Sequence, residues 1–326
     1  MTDAGAPPCF DSDEKKLGIA ILLVVLCVIV TAINPRFLGA ANLQNMARLV
    51  GLYGIFSIGL GMVIITGGID LSVGSTFALL GVLLSMMLTG WHWAAILAVL
   101  AVIMLAMGLG WVHGFLITKV KLQPFIVTLC GLLFYRGAAR FIANDEAKGF
   151  GDASGFETLR DLASGSLLGI PTPFILLLVI GSLMWVVLHR SVYGRYLFAV
   201  GRNAEAARYS GINSPRIIAS AYVLSSVLTG ISGVLIAFYT NSVSPSTYGN
   251  FYELYGIAAA VLGGCSLRGG EGSIIGILIG TTLLQVLQNL VNLLGIPSSL
   301  NFAVMGAVIL LGVIADQLFK RRSVET

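Results

Sequence analysis

Ten apolar segments, each bounded by polar or glycine-rich residues, follow one another along this chain and leave few folds open to it. About twenty apolar residues are what an α-helix needs to cross a bilayer. Inside hydrocarbon every backbone N–H and C=O must find an internal partner, so such stretches fold as helices. The segments run over 17–33, 49–66, 72–89, 94–113, 124–139, 169–188, 217–239, 253–267, 272–294 and 301–318. Composition agrees, since only 10% of residues are charged, against about 25% in ordinary soluble domains. The reading is an all-α, polytopic membrane protein of about ten transmembrane helices, some of them broken.

Residues 17–319 read as one transmembrane domain between an N-terminal tail, 1–16, and a C-terminal tail, 320–326. The first tail carries Asp3, Asp11, Asp13 and Glu14 before Lys15 and Lys16, and does not read as a cleavable leader. Residues 34–48 read as interfacial, Trp91, His92 and Trp93 as an aromatic anchor, and Arg136 as snorkelling toward the headgroups. Loop 140–168 sets three bases against five acids and reads as external. Loop 189–216 is basic, with Arg190, Arg195, Arg202, Arg208 and Arg216 against the single acid Glu205. With ten spans and cytoplasmic termini, thirteen of the nineteen Lys and Arg residues fall on the inside, where such loops concentrate. On charge alone, loop 189–216 either fixes topology or also docks a soluble partner.

The 40 glycines lie mostly inside apolar runs, which favours close helix packing and broken helices. One break is GGIDLSVGS, 67–75, where Gly67, Gly68 and Gly74 permit close approach or positive φ and Asp70 or Ser72 would cap the next helix. This stretch is either a tight surface loop or a discontinuous helix beside a pathway. A second is GGCSLRGGEGS, 263–273, with Gly263, Gly264, Gly269 and Gly270. The segment before it, 253–267, is short for a span and reads as bent or partly re-entrant. Gly272, Gly276 and Gly280 recur every four residues and predict a smooth packing face. Tyr53-Gly54-Ile55 ahead of one break echoes Tyr255-Gly256-Ile257 ahead of the other, through an internal two-fold repeat or through chance matching of small residues.

The sequence holds no G-x-x-x-x-G-K-[ST] nucleotide site, no H-E-x-x-H and no serine nucleophile elbow. Cys9, Cys27, Cys130 and Cys265 have no paired spacing, and His92, His113 and His189 stand apart, so neither disulfide, metal nor cofactor is expected. Nothing points to nucleic acid. Charge in and beside the apolar segments is scarce, with Asp70, Glu253 and Asp316 all near predicted ends, little for an ion-driven carrier. The driving energy is expected from a partner.

GGIDLSVGS, GRNAEAARYSGI at 201–212 and GGCSLRGGEGS, in that order, resemble the permeases of ribose-type ABC sugar importers, across nearly the whole chain. The resemblance implies a bacterial inner-membrane permease without an ATPase site of its own. Its partners would be a second permease chain, identical or not, two cytoplasmic ABC ATPase subunits and a periplasmic sugar-binding protein, within membrane lipid. The solute would be a monosaccharide, a ribose-like pentose or a hexose, although related permeases carry autoinducer-type furanoses or polyols. The resemblance further makes 201–212 the segment that docks on the ATPase, with Asn203, Glu205, Ala206, Ala207 and Ser210-Gly211 fitting its pattern. Read physically, a short helix at 203–209 would present Arg202, Glu205 and Arg208, let a partner groove close on Ala206 and Ala207, and end at Gly211. The competing readings are a self-powered secondary transporter of a small polar solute, and a membrane enzyme or channel.

Overall fold

The computed structural model describes residues 12–151 and 155–297, with 300, 303, 306, 307 and 310. In chain order its helices are α1 (Ser12–Ile33), α2 (Ala40–Ile65), α3 (Val73–Ser85), α4 (Ala95–Thr118), α5 (Pro124–Ile142), α6 (Glu157–Ser164), α7 (Thr172–Trp185), α8 (Val192–Arg202), α9 (Ala204–Tyr209), α10 (Ser214–Thr240), α11 (Tyr252–Leu262) and α12 (Ile274–Leu293). Five-residue π turns, Met86–Gly90 and Val186–Arg190, prolong α3 and α7. The strands are two residues each: β1 (Lys148–Gly149) pairs antiparallel with β4 (Ser242–Val243), and β2 (Ser166–Leu167) with β3 (Ile170–Pro171). The protein is an all-α, polytopic membrane protein. Seven of the described helices are long and apolar enough to cross a membrane. The remaining apolar segments are α1, α11 and the tenth segment, most of which lies outside the described residues, as do 1–11 and 320–326.

Two expected boundaries move. α1 starts at Ser12, within the stretch read as a tail. α2 starts at Ala40, so most of the segment read as interfacial is helix. Its polar residues stay in the helix because neighbours satisfy them. Asn42 and Asn289 exchange hydrogen bonds (3.0 and 2.7 Å), Gln44 donates to the Gly169 carbonyl (3.1 Å), and Arg48 donates to the Ser164 carbonyl (2.9 Å).

α2 is the axis of the molecule. Its apolar window is 83% buried inside the protein, whereas that of α4 is 22% buried and faces outward. Small residues let the inner helices approach. A Cβ on Gly110 would stand 2.7 Å from the Tyr222 carbonyl, and one on Gly114 2.8 Å from the Ala219 Cα, so α4 lies directly on α10. Ser232 of α10 donates to the Leu52 carbonyl of α2 (2.6 Å). On α12, a Cβ on Gly276 or Gly280 would run into the carbonyls of Gly263 and Ala259. Gly272 departs from the expected face, because α12 begins only at Ile274. It lies in the preceding loop against Cys265 and Ile65.

The eighth apolar segment is helical only over Tyr252–Leu262. α11 has 11 residues, roughly 17 Å, about half a bilayer. Residues 241–251, which include β4, form a non-helical leg ahead of it that runs along α3. Val243 packs at Gly81, and Gly249 reaches Gly74, nearer the start of α3. Asn241 (φ 55°) and Phe251 (φ 66°) bound this leg in the left-handed region. Arg136 keeps it in place. Its guanidinium donates to the carbonyls of Tyr248 (2.7 Å), Pro245 (3.1 Å) and Gly74 (3.3 Å). Arg136 thus points into the protein rather than toward the headgroups, because carbonyls outside any helix need donors there. Tyr252 then joins Tyr53, Phe56 and Phe77, with ring centroids 5.0, 6.0 and 5.4 Å away.

Replacing Arg136 with Met keeps the volume and removes every donor. We expect a loss of about 3 kcal/mol or more, read as a lower thermal midpoint in detergent, with Arg136→Lys recovering part of it.

Candidate functional site

The loop read as basic and polar folds as two helices. Ser191 reverses the chain after the second π turn: its Oγ donates to the Val187 carbonyl (2.6 Å) and accepts from the Gly194 N–H (3.2 Å), which starts α8. α8 was not anticipated. Asn203 separates it from α9, and its Oδ1 accepts from the N–H groups of Glu205 (3.0 Å) and Ala206 (2.9 Å), an N-cap. At the other end Gly211 (φ +85°) donates to the Arg208 carbonyl and Ile212 to the Ala207 carbonyl, both 3.0 Å, so the helix ends at glycine as expected. Ser214 Oγ donates to the Ala204 carbonyl (2.8 Å) and ties α9 to the start of α10. The six-residue helix is thus held at both ends and from the side.

Arg202, Glu205, Ala206 and Arg208 are exposed on this helix and its flank. Ala207 is 5% exposed and packs into its own chain, so only Ala206 of the pair is left for a partner. Tyr209 is 89% exposed and stands beside them. Its place at the last turn of a capped helix was the available signal, and the sequence reading passed over it.

Behind this surface the three glycine motifs meet. α2 ends with Gly67 (φ +80°) donating to the Ile64 carbonyl (2.8 Å) and Gly68 to the Val63 carbonyl (3.1 Å). The free Ile65 carbonyl accepts from the Gly270 N–H (2.8 Å). A Cβ on Gly269 (φ +86°) would lie 2.7 Å from the Gly201 carbonyl and 2.8 Å from the Gly67 nitrogen. One on Gly201 would strike the Ile65 carbonyl and the Gly270 nitrogen, and one on Gly270 would strike Arg202. Backbone touches backbone at the end of α2, the end of α8 and the turn before α12. Gly201 was not picked out by sequence. A glycine inside a helix, where it weakens the helix, was the clue.

The remaining break residues divide. Gly74 meets the Gly249 carbonyl and the Glu253 carboxylate, Gly263 meets Gly276, and Gly264 (φ +89°) faces open space. α11 ends as α2 does, with Gly264 donating to the Val261 carbonyl and Cys265 to the Ala260 carbonyl, both 2.9 Å. Both breaks thus end a helix in the same way, while the helices ahead of them differ, 26 residues against 11.

Asp70 is 1% exposed. Its Oδ1 accepts from the Ser72 N–H (2.9 Å) and Ser72 Oγ (2.7 Å), closing the turn before α3. Ser72 occupies the N-cap position but its own side chain caps nothing. Thr128 and Tyr222 hydroxyls donate to the Ile69 carbonyl, both at 3.3 Å. Tyr135 OH pairs with His113 Nε2 at 2.9 Å. Among the described residues no group of three His, Cys, Asp or Glu side chains is placed to hold a metal ion.

Comparison with known proteins gives a family match over residues 42–313, to the family described as branched-chain amino acid transport system / permease component. The chain is 39% identical over 312 residues to the ribose import permease protein RbsC of Bacillus subtilis (strain 168), covering 94% of both chains. It is 38% identical over 303 residues to RbsC of Escherichia coli (strain K12), covering 93% of both. It is 33% identical over 303 residues to the L-arabinose ABC transporter permease protein AraH of Azospirillum brasilense, covering 93% of this chain and 88% of that one. No solved structure matches.

Two substitutions test the site. Gly269→Ala combines a left-handed φ with a backbone clash, and we expect it to cost about 2 kcal/mol or more, seen as a lowered thermal midpoint. Asp70→Asn keeps an acceptor for Ser72, so we expect uptake within about twofold of wild type, about 0.4 kcal/mol. Loss of uptake in folded protein would instead make Asp70 an ion or pathway residue.

Proposed function

The chain belongs to the permease-component family of branched-chain amino acid transport systems, among whose members stand sugar importer permeases, and we propose on that premise that it is the membrane subunit of an ATP-driven monosaccharide importer. The solute is a ribose-like pentose or a hexose, delivered by a periplasmic binding protein. Two cytoplasmic ABC ATPase subunits supply the energy to a pair of permease chains in the bacterial cytoplasmic membrane. Loop 189–216 and both termini face the cytoplasm, with residues 17–319 as one transmembrane domain.

The observation that carries this reading is the glycine junction. Arg202, Glu205, Arg208 and Tyr209 are offered outward by a helix fixed at both ends. The same segment leans, through Gly201 and Arg202, on the end of α2 and on the turn before α12. A push on α9 reaches two helix breaks through backbone contact, with no flexible side chain between. Close packing transmits such a displacement rather than absorbing it. Asp70 and Glu253, at 1% and 7% exposure, are the buried carboxylates a secondary transporter would use. Each is already occupied: Asp70 with Ser72 in its own turn, and Glu253 with backbone N–H groups at its own helix start and at Gly74 of α3.

The deciding experiment is co-purification with the neighbouring ATPase and binding protein, followed by ATP hydrolysis with and without sugar. Sugar-stimulated hydrolysis is expected, whereas uptake by the chain alone on an ion gradient would overturn the reading. Glu205→Trp on the exposed face should abolish uptake, on the order of a hundredfold, about 2.7 kcal/mol in coupling, with insertion unchanged. Unaltered uptake would remove α9 from the docking role. A Glu205→Cys reporter in a cysteine-free chain, reacting with an impermeant reagent only from the cytoplasmic side, checks the orientation.

A further inference from the structure

A cavity of about 560 Å³ opens between the last turns of α4 and the start of α10, directly beside α9. Its walls are of two kinds. Lys119, Arg208 and Arg216 form a cationic rim, and no acid lines the cavity. Among the described residues none of the three has a carboxylate partner. Trp111 and Phe115 form an apolar wall, their rings stacked at 5.6 Å and exposed by 60% and 44%. That wall continues the outward face of α4, where Leu100 and Met104 are also exposed. The start of α10 adds the positive end of a 27-residue helix at the same mouth.

A soluble anion would use the rim and leave the aromatic wall idle. A soluble protein would need to reach an apolar wall on the lipid side of α4. An amphiphile uses both. We propose that this cavity holds the headgroup of one anionic phospholipid, its phosphate against Lys119, Arg208 and Arg216 and its acyl chains along Trp111 and Phe115. Gly211, Ile212 and Asn213, which join α9 to α10, line the same cavity. The lipid therefore braces the helix assigned to coupling. The site depends on α9 and α10 lying at a membrane face, and holds whatever solute is carried.

The test uses the full chain in nanodiscs of phosphatidylcholine doped with phosphatidylglycerol, with retained lipid counted by native mass spectrometry. One phosphatidylglycerol is expected to stay bound and to resist displacement by inorganic phosphate or glycerol 3-phosphate. Removing a cation should weaken retention about fivefold, so Lys119→Gln, Arg208→Gln and Arg216→Gln together should weaken it on the order of a hundredfold. Lys148→Gln, on β1, should change nothing. If the triple variant does not fold, Lys119→Gln alone, with an unchanged thermal midpoint, gives the fivefold reading. Retention equal to wild type in the variant overturns the proposal. So does displacement by free phosphate, which would mark a soluble-anion site. Loss of the ATPase with lipid retained would assign the cations to that partner and overturn it as well.

Discussion

A broken helix inside a membrane leaves backbone groups that water cannot reach, and this protein is organised around how those groups are satisfied. Breaks follow α2 and α11, and an irregular leg precedes α11. Each helix end closes on itself through a left-handed glycine, Gly67 or Gly264. What remains is met from outside the break. Arg136 serves the leg, Thr128 and Tyr222 serve Ile69, and Gly270 serves Ile65. The few buried charges obey the same logic. Asp70 accepts two hydrogen bonds in its own turn, and Arg136 spends its donors on three carbonyls.

This economy explains why the three glycine-rich stretches converge. A carbonyl left free at the end of α2 needs a donor, and the Gly270 N–H can reach it only if nothing projects from Gly201, Gly269 or Gly270. The contact is therefore backbone on backbone. Such a contact has little slack, since any Cβ would force whole segments apart. The short α9, capped by Asn203 and closed by Gly211, is attached to this junction through α8. Rigidity at the surface and rigidity at the junction are what the proposed coupling role requires of this segment.

The end of the bundle that carries loop 140–168 is built differently. β1 and β4 join the loop after α5 to the leg before α11, and Ser85 Oγ donates to the Gly149 carbonyl (2.9 Å) above α3. Arg140 pairs with Asp145 there and holds its carboxyl below the ordinary range. Loop 140–168 thus bears on the end of α3 opposite the Asp70 turn.

The sequence alone determined the features that local chemistry dictates. Apolar length and period set the helices, the distribution of Lys and Arg suggested the sides, and Asn203 and Gly211 marked the ends of α9 because caps depend on neighbours in the chain. The three glycine motifs were legible as special, and their order identified the kind of protein. Only the tertiary structure decided what those glycines do. Gly201 and Gly269 are far apart in the chain, and their need to be glycine arises from a contact between segments. The same holds for Arg136, which by sequence belonged at the headgroups. Its donors are claimed by carbonyls of Pro245 and Tyr248, over a hundred residues further along the chain. Ala207 turned inward for a like reason, because packing against the rest of the fold chose its face. Local rules reach as far as one helix turn, and long-range pairing of buried polar groups is decided by the assembled fold.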